Sequence, residues 1–475
     1  MIQQFINRVE ELRFLEEHYK SRHSELIIIY GRRRIGKTEL IAQFIKDKPA
    51  IYLLATYKPL HEIIKELQLK MAKLLKNRLF EKLEINNFED LFLEFIEFLK
   101  KSKITEKVVI CIDEFPILIQ RDKGIVSIFQ KIWDEHLRKE NIMLILLGSS
   151  ISMMETDVLG YKSPLYGRRT GQWLVEEFKI TSLMDYFWKY SKIDIIRTYG
   201  VIGGVPGYIT KFDPDLSLLG NIREKIFRKG EFLYDEPEIL MREKLRDPTN
   251  YFSILRAIAS GSNTFGKIVD STGLDKSLVS KYLSMLQSLR IVERDIPIFS
   301  SLKAQIKVKR GQYKINDNFF RFWFNYVYPF KSEIEANNID YVTAQLNETF
   351  NTYMGFIFED LVRKPYIARA LVPFYYTDLG RWWYKDKEID LVAANSRERK
   401  IFFMEVKWSK LSLREAKTIL KELKEKAKHV DWNIDKRKEY YGVIAIEIED
   451  KNELESEETV AYSVDDLFRI LSIFP

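Results

Sequence analysis

The 475-residue sequence holds one cysteine, Cys111, and five histidines. A single thiol excludes an intramolecular disulfide and any cysteine-cluster zinc site. It points to a reducing, cytoplasmic compartment. The histidines are scattered singly, so no histidine-rich metal site is suggested. Long apolar runs are also missing: ELIIIYG and NIMLILLGSS are of strand length, well short of the ~20 residues that span a bilayer. The opening MIQQFINRVEELRF lacks the apolar core of a signal peptide, and no membrane partner is expected. Neither sign of charge dominates, because 76 basic residues face 69 acidic ones, a net +7. That excess is compatible with nucleic acid without arguing for it. Aromatics are abundant, with 31 Phe, 25 Tyr and 8 Trp, enough to fill the cores of the two to four domains this length allows.

The stretch LIIIYGRRRIGKTEL reads as strand, loop and helix. Gly31 to Thr38 fits G-x-x-x-x-G-K-[ST] without departure. Glycines at Gly31 and Gly36 let the backbone wrap a phosphate so that amide N–H groups point at it. Lys37 would reach the β- and γ-phosphates of ATP, and the Thr38 hydroxyl would bind Mg²⁺. A second strand, KVVICIDEFPIL, ends in Asp113 and Glu114. Two acids at a strand end are costly unless a cation sits there. Asp113 would hold Mg²⁺ through water, and Glu114 would polarise the attacking water. A third run, IMLILLGSS, ends in Ser149, a polar tip placed to sense the γ-phosphate.

These motifs, in this order, resemble the archaeal-type P-loop ATPases of the AAA+/STAND group. FINRVEEL, from Phe5 to Leu12, matches the family's opening motif, which places Arg8 near the adenine. PLYGRRTG and GGVPGY match two further signatures. The resemblance implies that Arg168 or Arg169 stabilises charge on the γ-phosphate, a task suited to a planar, permanently charged group. It also implies that Pro206 faces the adenine. Pairing of both arginines with surface acids and a purely structural turn at Pro206 are the plainer readings.

Beyond the ATPase core, YFSILRAIASGSNTFGKIVDSTGLDKSLVSKYLSMLQSLRIV carries apolar residues at helical spacing, with Phe252, Ile254, Leu255 and Ile258 as one stripe. A turn at Gly273 and a cap at Asp275 would separate two helices. IVERDIPIF and QIKVKRGQYKIN read as the two strands of a wing. Lys276, Ser277, Ser280 and Lys281, with Lys307, Lys309 and Arg310 on the wing, would face DNA; packing against protein is the alternative. NDNFFRFWFNYVYPF then sets eight aromatics in one short stretch, expected to be a buried connector.

The last third raises a separate question, because carboxylates stand inside apolar runs. A helix carrying Glu359, with Phe356, Leu361 and Val362 inward, precedes GRWWYKDKEIDLVAAN and IFFMEVKWSK. The first of these leads into a strand holding Asp390; the second is a strand with Glu405 and Lys407 on one face. A short hairpin would bring Asp390 and Glu405 together. Two acids that close call for a cation between them, and hard oxygen ligands suit Mg²⁺ or Mn²⁺. Lys407 would orient the attacking water or stabilise the transition state. The order of acid, E-x-K and helical acid resembles the PD-(D/E)XK nuclease superfamily, although Ile389 stands where the name-giving proline would be. Leu411 to Trp432 would form a basic helix, either a solvated face or one lying along nucleic-acid phosphates.

The expected architecture is α/β: a P-loop NTPase core (1–180), a helical lid (181–245), a winged helix (246–315), a connector (316–342) and a restriction-endonuclease-like domain (343–475). The expected function is an ATP-hydrolysing switch or motor coupled to a metal-dependent nuclease-like domain acting on DNA. The alternative is an ATP-regulated DNA- or protein-binding module with an inactive nuclease fold. An arginine acting between subunits would require an oligomer.

Overall fold

The computed structural model describes residues 7–245, 247–299, 311–434 and 436–473. Phe5 of the opening motif and Lys307, Lys309 and Arg310 of the wing lie outside the described residues. The chain divides into two compact units, Met1–Glu177 with Val205–Gly207, and Phe178–Gly204 with Tyr208–Pro475.

The first unit is built on a parallel sheet of five strands: β1 (Glu25–Tyr30), β2 (Ala50–Leu54), β3 (Val108–Asp113), β4 (Ile142–Gly148) and β5 (Gly171–Leu174). Their order is β2-β3-β4-β1-β5. Every residue of β1, β3 and β4 is buried. Both faces of a parallel sheet are covered by helices, so its inner strands are apolar throughout rather than alternating. Leu26, Ile28, Ile110, Ile112, Leu144 and Leu146 share one core with Phe92, Phe95 and Phe129. The intervening Ile27, Ile29, Val109, Ile145 and Leu147 join Leu40, Ile41 and Phe44 in the opposite core. Cys111 belongs to the second core, where burial pushes its thiol pKa up. It acts there as a small hydrophobe. Truncating one of these aliphatic residues to alanine would cost about 2 to 5 kcal/mol.

In the second unit, helices Ile180–Tyr186, Lys192–Ile202 and Phe232–Lys244 lead into three helices, Thr249–Ala259, Phe265–Thr272 and Lys276–Ser288. A hairpin follows, of β6 (Val292–Asp295) and β7 (Gln312–Ile315), with Val292 opposite Ile315. Phe252, Ile254, Leu255 and Ile258 are buried, as their spacing predicts. Gly273 adopts φ 65°, a left-handed helix stop that favours glycine. Asp275 precedes the third helix but its side chain makes no cap bond. The capping side chain in this region is Thr264, which accepts from Lys267 N.

The aromatic stretch forms helix Asn318–Tyr326, with six of its aromatic side chains buried. Helix Ile339–Val362 then runs through the boundary expected at 342/343, so no break in structure falls there. Its buried stripe includes Tyr353, Met354, Ile357, Phe358, Leu361 and Val362. Phe356 falls off that stripe and is 58% exposed, contrary to expectation. Glu359 stands in the last turn.

The C-terminal sheet has five strands: β8 (Asp378–Tyr384), β9 (Lys387–Asn395), β10 (Lys400–Leu411), β11 (Lys438–Ile448) and β12 (Thr459–Ser463). Their order is β12-β11-β10-β9-β8. The segment GRWWYKDKEIDLVAAN, expected to lead into one strand, folds as two, with a turn at Lys385 and Asp386. Strands β8, β9 and β10 are antiparallel neighbours, whereas β11 and β12 run parallel to β10. Helix Leu413–Ala427, opened by a capping box of Ser412 and Glu415, buries Ala416, Leu420, Leu423 and Ala427. These join Ile401, Phe403 and Val443 in the core. Among the described residues, no helix is long and apolar enough to cross a membrane.

Candidate phosphate and metal sites

In the first unit β1 delivers the chain into the loop at Gly31, and the loop ends at Gly36, with φ 84°. A Cβ at Gly31 would meet the Val175 carbonyl oxygen at 2.5 Å, so only glycine fits. The helix Lys37–Ile45 starts where the loop closes. Lys37 is 6% exposed, and its Nζ donates to the Gly31 and Arg32 carbonyls at 2.8 and 3.1 Å. Burial draws its pKa down, against the opposing charges of Glu114 and Asp113. Pro206 lies over the loop: a Cβ on Gly36 would stand 3.9 Å from it, and Gly207 N donates to the Arg34 carbonyl at 3.0 Å. Arg8 is buried and donates from Nη2 to the Ile35 carbonyl at 2.8 Å. It thus ties the opening motif to the loop backbone.

The strand tips meet beside this loop. Thr38 Oγ1 donates to Asp113 Oδ2 at 2.8 Å. Tyr52, on β2, donates to the same oxygen at 2.6 Å. The other oxygen, Oδ1, accepts from Glu114 N at 2.8 Å. Glu114 itself adopts φ 54°, a left-handed conformation uncommon for a residue with a Cβ. Its Oε2 accepts from Ser149 Oγ at 2.7 Å. Asp113 and Thr38 therefore converge where a hard cation beside a phosphate would need oxygen ligands. Arg168 is turned to Asp134, its Nε 2.7 Å from Oδ2, and donates to the Pro164 carbonyl. Arg169 lies over the Tyr166 ring at 5.7 Å, with Nη1 buried and lacking a hydrogen-bond partner among the described residues. Tyr52 was not among the residues singled out by motif. Its place on β2 follows only from the β2–β3 pairing, which sets Leu54 opposite Asp113 and Tyr52 two residues back.

Three family models match the chain. Residues 5–212 match an ATPase domain predominantly from Archaea. Residues 252–294 match the arsR family of bacterial regulatory proteins, and residues 323–419 match a family of archaeal and bacterial proteins of unknown function. An uncharacterised protein of Methanocaldococcus jannaschii is 37% identical over 450 residues, covering 94% of this chain and 97% of its own. The chain belongs to the same family as this relative and carries an archaeal-type ATPase domain. Among solved structures, a Walker-type ATPase of Pyrococcus abyssi is 23% identical, with a TM-score of 0.48 over 68% of this chain and 96% of its own. The ORC2 protein of Aeropyrum pernix is 13% identical, with a TM-score of 0.48 over 72% and 97%.

This archaeal-type ATPase carries a second group of charged residues in its C-terminal sheet. Leu391 pairs with Met404 across β9 and β10, which brings Asp390 beside Glu405. Both are buried, at 4% and 3% exposure. Asp390 Oδ2 accepts from Val406 N at 2.9 Å. Lys407 Nζ lies 2.7 Å from Glu405 Oε2 and 3.5 Å from Asp390 Oδ2. Lys426, from helix Leu413–Ala427, donates to Glu405 Oε1 at 2.8 Å. Glu359 comes from the long helix, with Arg381 Nη2 3.9 Å from its Oε2.

Electrostatics bind this group together. Burial, then the charge of Asp390, raises the Glu405 pKa, and its two lysines oppose the shift. Burial works against the Lys407 ammonium, but Asp390 and Glu405 outweigh it and hold its pKa above the usual lysine value. Burial and Asp390 push Glu359 up to about 7. Two buried carboxylates offer the oxygen ligands a divalent cation would use, whereas the Lys407 ammonium has no lone pair to give one. Among the described residues, however, the group of three acidic or histidine side chains with ligand atoms within 4.8 Å of one another is Glu89, Glu135 and His136. Glu359 is therefore a neighbour of the pair rather than a third close ligand. Lys426 and Arg381 escaped the motif reading, because neither stands at a spacing that announces contact with Glu405 or Glu359.

Proposed function

We propose that this ATPase is a nucleotide-driven switch whose C-terminal domain is a divalent-metal-dependent nuclease acting on DNA. The observation that carries the second half is Lys407 Nζ within 3.5 Å of oxygens from two buried carboxylates on adjacent strands. Such a cluster is expensive to bury and is retained where chemistry uses it.

At the ATP site, Mg²⁺ would neutralise charge on the phosphates. Thr38 would hold it directly and Asp113 through water, the Asp113 carboxylate being fixed by Glu114 N and Tyr52. Lys37 leaves its loop carbonyls for the β- and γ-phosphates. Glu114 accepts a proton from the attacking water, and Ser149 keeps its Oε2 in place. Pro206 and Arg8 border the base. Arg168 is engaged with Asp134 inside the chain, so Arg169, with an unpartnered Nη1, is the better candidate to meet γ-phosphate charge. If that phosphate lies on a neighbouring subunit, an oligomer follows.

At the C-terminal site Asp390 and Glu405 would hold Mg²⁺ or Mn²⁺, which would supply a water activated against a phosphodiester. Lys407 faces the developing charge. DNA as the partner is supported by the family match over residues 252–294 and by exposed Lys276, Ser277, Ser280 and Lys281 on the third helix of that segment. Incubating the full chain with linear duplex DNA and MnCl₂ tests the reading. Wild type should nick or cut, and Glu405→Ala should lose at least a hundredfold of that activity. Metal-dependent cutting absent from wild type, or undiminished in the variant, overturns it.

The second reading, an ATP-regulated binding module with an inert nuclease fold, has its own observation. Both oxygens of Glu405 already accept from lysines.

A further inference from the structure

Lys426 raises a problem that the nuclease reading leaves open. A carboxylate meant for a divalent cation is capped on both oxygens, by Lys407 at 2.7 Å and by Lys426 at 2.8 Å. Lys407 belongs to the strand that carries Glu405, and it also faces Asp390. Lys426 arrives from a different element, in the last turn of helix Leu413–Ala427. That helix is anchored through Leu420, Leu423 and Ala427, so its backbone is not free to withdraw. The Lys426 side chain is 28% exposed, whereas that of Glu405 is 4% exposed. The ammonium can therefore leave toward water while the carboxylate cannot follow.

Charge fixes what must happen on metal binding. Asp390 and Glu405 contribute two negative charges, and Lys407 with Lys426 contributes two positive ones. Adding a dication to that balanced set places like charges around one buried oxygen, at distances where repulsion is strong. One ammonium has to give way. Lys407 keeps a partner in Asp390 if it loses Glu405. Among the described residues Lys426 has no second acid within ion-pair distance, and its partly exposed side chain has a path to solvent.

We propose that Lys426 is an exchangeable counter-ion of Glu405: it fills the metal-binding oxygen when no divalent cation is present and swings off it when one binds. The inference rests on the nuclease reading for the identity of the site. It goes further by assigning a residue from outside the D…E-x-K pattern and by giving the site a lock that a divalent cation must open. On this view the capped Glu405 is the resting form of a working site, not a sign of an inert one.

Mn²⁺ binding to the full-length protein, followed by electron paramagnetic resonance of the free ion, tests it without any DNA. An Asp113→Asn background removes the ATP-site carboxylate from the count. Three proteins are compared in that background: the parent, Lys426→Ala, and Lys410→Ala as a control. Lys410 is an exposed lysine of the same strand, paired with Glu447. Removing a competing charge should tighten Mn²⁺ binding in Lys426→Ala on the order of tenfold. Lys410→Ala should match the parent.

Binding seen only in Lys426→Ala also supports the lock, in its strongest form. Equal or weaker affinity in Lys426→Ala overturns the inference and leaves the metal site itself standing. Equal tightening in both lysine variants overturns it too, since the effect would then be general electrostatics. No binding in any of the three overturns the inference together with the nuclease reading.

Discussion

At the N-terminal site one lysine rests on two backbone carbonyls, and at the C-terminal site two lysines rest on one carboxylate. The difference decides what each site is prepared to receive. Carbonyl oxygens are weak, neutral partners, so Lys37 can be drawn to a phosphate at small cost. Glu405 is a full charge in a buried setting, and its lysines are held by strong, charge-assisted bonds. The first site is arranged to accept an anion directly. In the second, two lysines balance the charges of Asp390 and Glu405, and on the proposed reading it would accept an anion only after a cation has changed that balance. A chain with both can bind nucleotide without committing its C-terminal domain.

The sharpest way to break this comparison is to remove the groups that make the first site ready. Lys37→Ala should abolish detectable nucleotide binding in a fluorescent-ATP titration. Glu114→Gln should leave binding within about threefold of wild type and slow hydrolysis by a hundredfold or more, as expected for loss of a general base. Hydrolysis by Glu114→Gln at the parent rate would remove Glu114 from the water-activating role. Similar losses of binding in both variants would show that the loop and the strand tip act as one unit, not as cradle and base.

Tyr52 sharpens the comparison from the metal side. Its hydroxyl shares Asp113 Oδ2 with Thr38, so its hydrogen bond orients the carboxylate. Outer partners of a ligand are worth about ten- to a hundredfold in metal affinity or activity. Tyr52→Phe should therefore lower the Mg²⁺-dependent gain in ATP affinity by about tenfold and leave affinity in EDTA unchanged. An equal loss in both conditions would make Tyr52 a packing residue only.

Why Tyr52 and Lys426 were invisible in the sequence, when Lys37 and Glu114 were plain, follows from how each site is assembled. The phosphate loop is contiguous, so backbone spacing alone defines it from Gly31 to Thr38. Asp113, Glu114 and Ser149 end apolar runs, where charge is conspicuous against β-branched neighbours. Asp390, Glu405 and Lys407 were legible for the same reason, and a hairpin fixes their register. Tyr52 sits in AIYLL, where an aromatic is unremarkable. It acquires meaning only when β2 is known to pair with β3. Lys426 is one of many lysines on its helix, and only the packing of Leu423 and Ala427 aims it at Glu405. The hairpin of β8 and β9 was hidden because apolar and charged residues continue on both sides of Lys385 and Asp386. Phe356 is apolar but falls off the helical stripe of Tyr353, Ile357 and Leu361, so hydrophobicity alone does not place it inward.

The smallest effect tests whether the C-terminal group is neutral as described. Burial and the charge of Asp390 hold the Glu359 carboxyl at about 7, against 4.5 in the unfolded chain. Between those values the native state keeps a proton that the unfolded state has lost. The resulting stability is fully present below about pH 4.5 and is lost as pH rises through about 7. Asp360, Arg363 and Arg381 also face this carboxyl, the arginines opposing the shift. Replacing it by an amide removes the titration and keeps the shape. In urea unfolding at pH 5 and pH 8, Glu359→Gln should gain on wild type by on the order of 1 to 2 kcal/mol at the higher pH relative to the lower. An unchanged difference would mean that Glu359 is ionised throughout. The C-terminal site would then carry an extra negative charge in its resting state, which two lysines on Glu405 and Asp390 would not balance.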